Sequence, residues 1–168
     1  MKACAYWFSV FTRKYSFDMH TRFMIQYTRK DGDDMGSPPK KWILVDTIKR
    51  ELHYCEHEFT EGSYPIGIGR EDTPTPTGNY YIYGMSENPK KTYREGSIPI
   101  ERFGTRVIEL SLQAFDYDVW AWVHYAIHGT DNNKRMGTRC SRGCVIMQND
   151  DVEDLYNKVE TGTLVIIT

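Results

Sequence analysis

The chain has 168 residues, 26% of them charged, and a formal net charge of −2, which is length enough for one domain with a real hydrophobic core. Lys and Arg are scattered, in runs no longer than pairs such as Lys40-Lys41, so no global field draws the protein to nucleic acid or anionic lipid. No stretch reaches the roughly 18–20 apolar residues that a membrane-spanning helix requires, so no membrane span is expected.

The N-terminus carries Lys2 and then a mostly apolar run from Ala3 to Phe11, similar to a weak signal-peptide core but with no small-x-small cleavage site after it. Phe23 to Thr28 alternates weakly, as a strand would. Asp31 to Pro39 is turn and linker by composition. Residues 1–40 are therefore read as an N-terminal extension and 41–168 as the main domain.

From Trp42 the pattern sharpens. Trp42 to Asp46 predicts a strand, Thr47 to Arg50 a turn, and Glu51 to His57 a second strand. Ser63 to Gly69 is a third, ending in glycines, and Thr73 to Gly78 is a stiff Pro-containing loop. Asn79 to Tyr83, Arg106 to Leu112 and Val119 to His128 follow as strands rich in β-branched and aromatic residues. One helix is predicted, capped by Asn149 or Asp150, running from Asp151 to Lys158 and ended by Gly162. Its apolar side is Val152, Leu155, Tyr156 and Val159. Thr163 to Thr168 closes the chain as an apolar strand. The domain is thus mostly β, a sandwich or barrel.

Two chemistries compete for the segment from Tyr125 to Tyr156. His124 and His128, four apart, would share one face of a helix and so chelate a metal, but their neighbours Trp120, Trp122, Val123, Tyr125 and Ile127 favour a strand. On a strand, residues four apart lie about 13 Å apart, too far for one ion. His53 and His57, around Cys55, stand in the same relation, and no metal site is assigned. The second chemistry is that of a thiol. Cys144 follows Gly143, which permits a sharp turn, and His128 lies sixteen residues upstream, before Gly129-Thr130. A positioned imidazole can take a thiol proton, and turn amides can hold an oxyanion. A buried structural cysteine is the alternative. Cys4, Cys55 and Cys140 form no C-x-x-C framework with Cys144, and free thiols are expected.

The order of motifs resembles the L,D-transpeptidase catalytic domain of the YkuD type. His128-Gly129-Thr130, Ser141-x-Gly143-Cys144, Met147, Asn149 and the helix match its signature in order and spacing. Upstream, Trp42 to Leu52 is similar to its opening hairpin, and Tyr64 to Gly69 with Thr75-Pro-Thr-Gly-Asn-Tyr-Tyr-Ile to its T-P-T-G segment. Gly162-Thr-Leu-Val-Ile-Ile is similar to its closing strand, so the resemblance covers residues 41–168. It implies a mixed β-sandwich with one helix after the active-site cysteine. It also implies Cys144 as nucleophile, His128 as base and Gly129 as the residue whose carbonyl orients the imidazole. The turn backbone at Arg142, Gly143 and Cys144 would hold the oxyanion, and Ser141, Arg142 and Arg139 would meet substrate, with no cofactor. The implied partners are peptidoglycan stem peptides, cross-linked through a thioester, and the implied place is the periplasm or cell wall. An L,D-carboxypeptidase or amidase, or an inactive cell-wall binding module, are the alternatives. Two positions depart from the common pattern: Arg142 replaces the histidine of S-H-G-C, closer to the divergent YafK-like S-x-G-C form, and Ile146 replaces an arginine.

Overall fold

Trp42-Ile-Leu-Val and Leu164-Val-Ile-Ile are continuous apolar runs rather than alternating ones, the pattern of strands buried on both faces. The computed structural model describes residues 39–57, 59–89, 103–112 and 125–168, all within a unit that begins at Pro39. In it these two runs, β1 (Lys41–Asp46) and β10 (Leu164–Ile167), are parallel neighbours at the middle of an eight-stranded sheet. Both are buried from Trp42 to Val45 and from Leu164 to Ile167.

The sheet runs on either side of that pair. β2 (Glu51–Glu56) and β3 (Phe59–Pro65) extend it one way as antiparallel hairpins. The first hairpin is set by Asp46, whose buried carboxylate accepts from the Ile48 and Lys49 amides at 3.0 and 2.8 Å. On the other side come β5 (Gly78–Glu87), β6 (Arg106–Leu112), β7 (Tyr125–Thr130) and, parallel to β7, β9 (Val145–Gln148). Two further strands, β4 (Ile68–Gly69) and β8 (Arg139–Ser141), pair separately. Gly67 and Ile146 exchange two 2.8 Å backbone bonds, which ties the chain after β3 to the free edge of β9. Residues from both ends of the sheet, Leu52 and Tyr64 at one and Val145 and Met147 at the other, belong to one buried core.

The helix α1 (Asn149–Tyr156) seals that core with Val152 and Leu155 and leaves its acidic residues outside. Its C-terminal end is moored to the far strands. The Tyr64 hydroxyl donates to Asp154 Oδ2 at 2.6 Å, and Lys158 Nζ donates to the same oxygen at 2.7 Å.

Several sequence expectations shift. The strand expected over Ser63 to Gly69 is divided: Ile66 donates to Arg50, Gly67 turns to Ile146, and Ile68–Gly69 joins β8. The helix begins at Asn149, preceded by Gln148, and no side chain caps it, so neither Asn149 nor Asp150 does the expected duty. It ends at Tyr156 with right-handed Asn157 rather than at Gly162, whose φ of +88° serves a later turn before β10. Val119 to His124, and all of residues 1–38, lie outside the described residues.

Candidate active site

Strand register brings the segments that carry the two expected catalytic residues side by side. In the parallel β7/β9 pair Ile127 is opposite Val145 and His128 is opposite Ile146. Ile127, Val145 and Met147 enter the core, so His128 and Ile146 project from the other face. Cys144 lies in the turn immediately before β9, where its sulfur takes a hydrogen bond from the Ala126 backbone on β7.

His128 is 4% exposed. Its Nδ1 lies 2.9 Å from the Gly129 carbonyl, which can only accept, so Nδ1 carries the proton and Nε2 of the neutral ring keeps a lone pair. Burial pushes the imidazole down to about 4; the Gly129 bond opposes this, and the positive charge of Arg135 adds to it. The ring of Phe103 packs edge-on against it, centroids 4.9 Å apart. Gly129 is itself wedged: a Cβ there would meet Asn149 Oδ1 and approach Val152 Cγ1 to 3.0 Å. The same Asn149 Oδ1 accepts from the Thr105 amide at 3.2 Å. Asn149, expected as a cap, therefore packs against the Cα side of the glycine whose carbonyl holds the histidine.

The nucleophile turn is held by Ser141. Its buried hydroxyl donates to the Cys144 carbonyl at 2.6 Å and accepts from the Gly143 amide at 3.1 Å. The Ser141 hydroxyl, expected at the substrate, and the Gly143 N–H, expected at the oxyanion, bond to each other within the turn. Gly143 has a φ of +111°, and a Cβ would lie 2.5 Å from Tyr125 Cε1, so only glycine fits. Removing the Ser141 hydroxyl leaves a buried amide without its acceptor. Ser141→Ala is expected to lose about 1–3 kcal/mol of stability in a denaturant titration, whereas Ser141→Thr retains most of it.

Cys144 is half-buried, and burial pushes its thiol up from the ordinary value, against the Ala126 hydrogen bond and the charge of Arg135. Arg142 is exposed at the turn, and among the described residues no carboxylate lies within ion-pair distance of it, Asp150 and Asp151 included. Arg139, also exposed, turns toward β4, with Nη1 3.5 Å from the Gly69 carbonyl. Arg135, which no motif marks, bears instead on both Cys144 and His128. Among the described residues no group of three or more His, Cys, Asp or Glu side chains is placed to hold a metal ion.

The family model of the L,D-transpeptidase catalytic domain, YkuD, matches residues 40–167. The chain is an enzyme of the YkuD L,D-transpeptidase family. It is similar to YqjB of Bacillus subtilis strain 168, named as an L,D-transpeptidase, with 32% identity over 78% of this chain and 73% of that one. With YkuD of the same strain, likewise named, identity is 37% over 62% of this chain and 52% of the relative. The chain thus spans only about half of YkuD. Among solved L,D-transpeptidase structures, it resembles the catalytic domain from E. faecium acylated by ertapenem, with TM-score 0.59 and 24% identity over 79% of this chain and all of that one. An L,D-transpeptidase from Mycobacterium tuberculosis H37Rv gives TM-score 0.59 at 18% identity, over 77% and 58% of the two chains. At these identities the structural likeness establishes the fold: a mostly β L,D-transpeptidase domain with a large mixed sheet and one helix. No helix among the described residues is long and apolar enough to cross a membrane.

Proposed function

We propose that this L,D-transpeptidase domain transfers acyl groups of peptidoglycan stem peptides through a thioester on Cys144. The observation that carries the reading is the state of His128. Its Nδ1 proton is fixed on the Gly129 carbonyl, its Nε2 keeps a lone pair, and Cys144 lies in the turn just before β9, the strand paired with its own. An imidazole held neutral and in one tautomer is what a thiol needs as a proton acceptor.

In the proposed step the thiol proton passes to His128 Nε2 as Cys144 Sγ attacks the carbonyl of the bond between an L centre and a D residue. The C–N bond breaks, the leaving amine takes the proton from His128, and the acyl group remains as a thioester. An amine of a second stem peptide then forms the cross-link; water in its place gives the L,D-carboxypeptidase outcome. With the Gly143 amide occupied by Ser141, the Cys144 amide is the turn donor assigned to the oxyanion. The reaction takes place in the cell wall or periplasm.

Purified muropeptides incubated with the protein and read by mass test this. A dimer lighter than two monomers by one free D-amino acid marks cross-linking, and a monomer lighter by one D residue marks hydrolysis. Unchanged masses with a folded protein contradict acyl transfer.

A further inference from the structure

Arg135 lies in the loop between the two expected catalytic residues, at the end of a short 3-10 turn (Asn133–Arg135). Its backbone is firmly seated. The amide donates to the Asn132 carbonyl at 3.0 Å, and its own carbonyl accepts from the Thr138 amide at 3.3 Å and the Thr138 hydroxyl at 2.8 Å. The chain at Gly67 presses against the same place: a Cβ there would lie 2.7 Å from the Arg135 carbonyl oxygen and 2.9 Å from Cys140 Sγ. The side chain turns back toward the nucleophile turn, with Nη2 donating to the Cys140 carbonyl at 3.2 Å, four residues before Cys144.

This guanidinium is half-buried, and among the described residues no carboxylate lies within ion-pair distance of it. A partly desolvated cation without a counter-charge is costly unless a negative charge forms beside it. The charge that forms here is on Cys144, whose thiol Arg135 favours in the ionised form. Ile146, where the common motif has an arginine, is fully buried in register with His128 and brings no charge.

Resting on the acyl-transfer reading above, we propose that Arg135 is the fixed cation of this site, tethered to the Cys140 carbonyl, and that it stabilises the Cys144 thiolate. It is a positioning residue acting through Cys144. The other charged or titratable groups on the segments beside Cys144 are His128 and Tyr125 on β7 and Arg142 on the turn itself.

The test is the pH dependence of Cys144 alkylation by iodoacetamide in the full chain, read by mass on the tryptic peptide Gly143–Lys158, which contains no other cysteine. In Arg135→Gln the midpoint should rise by about one pH unit, with alkylation near neutral pH falling about tenfold. Arg135→Lys should restore most of both. Arg135→Met, which keeps the apolar stem, replaces the glutamine variant if that one does not fold. An unchanged midpoint in a folded, uncharged variant overturns the proposal. Alkylation reports the thiolate whether or not acyl transfer occurs, so the two readings fail separately. An Arg135-dependent profile without muropeptide turnover refutes the acyl-transfer reading alone; turnover with an Arg135-independent profile refutes the cation alone.

Discussion

Cys144→Ala is expected to reduce muropeptide turnover by at least about 10⁴-fold, the scale on which loss of a nucleophile is felt, while the protein still folds. The two halves of this expectation have separate structural grounds. The turn that carries Cys144 is closed by the Ser141 hydroxyl, by backbone atoms and by the left-handed Gly143, and the sulfur takes no part in closing it. Alanine fits the same backbone, so the thermal midpoint should move by only a few degrees. The reaction has no comparable substitute. Cys140 is four residues upstream on β8, its sulfur facing the Arg135 carbonyl at 3.7 Å, and is bound into the loop rather than the turn. Turnover read by mass, beside a thermal melt, checks both halves. Residual turnover above about one part in a hundred would place the nucleophile elsewhere.

His128→Gln should lower turnover by about 10²–10⁴-fold, the usual contribution of a positioned general base, and should also leave a mark on stability. The folded imidazole is held at about 4, below its ordinary 6.5, chiefly by burial. Between those values the unfolded chain takes up a proton that the folded protein refuses. Stability must therefore fall as pH drops from about 6.5 to about 4 and level off below, with a total near 3 kcal/mol. In His128→Gln that part of the acid loss disappears. Urea titrations of both proteins across this range measure it, and equal pH slopes would contradict the buried neutral state. The same displacement keeps the base available in mildly acidic solution. The acid limb of turnover should accordingly lie well below that of an ordinary histidine.

The sequence made some of this structure readable and hid the rest for physical reasons. β1 and β10 were legible because strands buried on both faces have continuous apolar runs, and Asp46 marked the hairpin turn between β1 and β2. β8 and β9 were not, because strands of three and four residues are too short to show alternation, and β9 passes into α1 without a break. The cap expected of Asn149 followed a sound local rule, but tertiary contact overrode it: its side chain is needed at Thr105 and Gly129. His128, Gly129 and Cys144 emerged through ordered motifs rather than through their individual chemistry. Ser141 emerged with them, though its hydroxyl serves the turn.

Arg135 had no such motif. Loops are commonly charged, and spacing along the chain does not reveal which guanidinium folds back toward a buried thiol. The one available signal was indirect: a family pattern with its arginine replaced by Ile146 invites a search for a cation nearby.

The central claim, a Cys144 nucleophile, is tested most directly by mapping the adduct left by a carbapenem, a β-lactam that would acylate the thiolate. Trypsin releases Gly143–Lys158 with Cys144 as its one cysteine, and Cys140 falls in the separate peptide Cys140–Arg142. The account predicts that the added mass resides on Gly143–Lys158 and is lost in Cys144→Ala. An adduct on another peptide, or one that persists in Cys144→Ala, would contradict it.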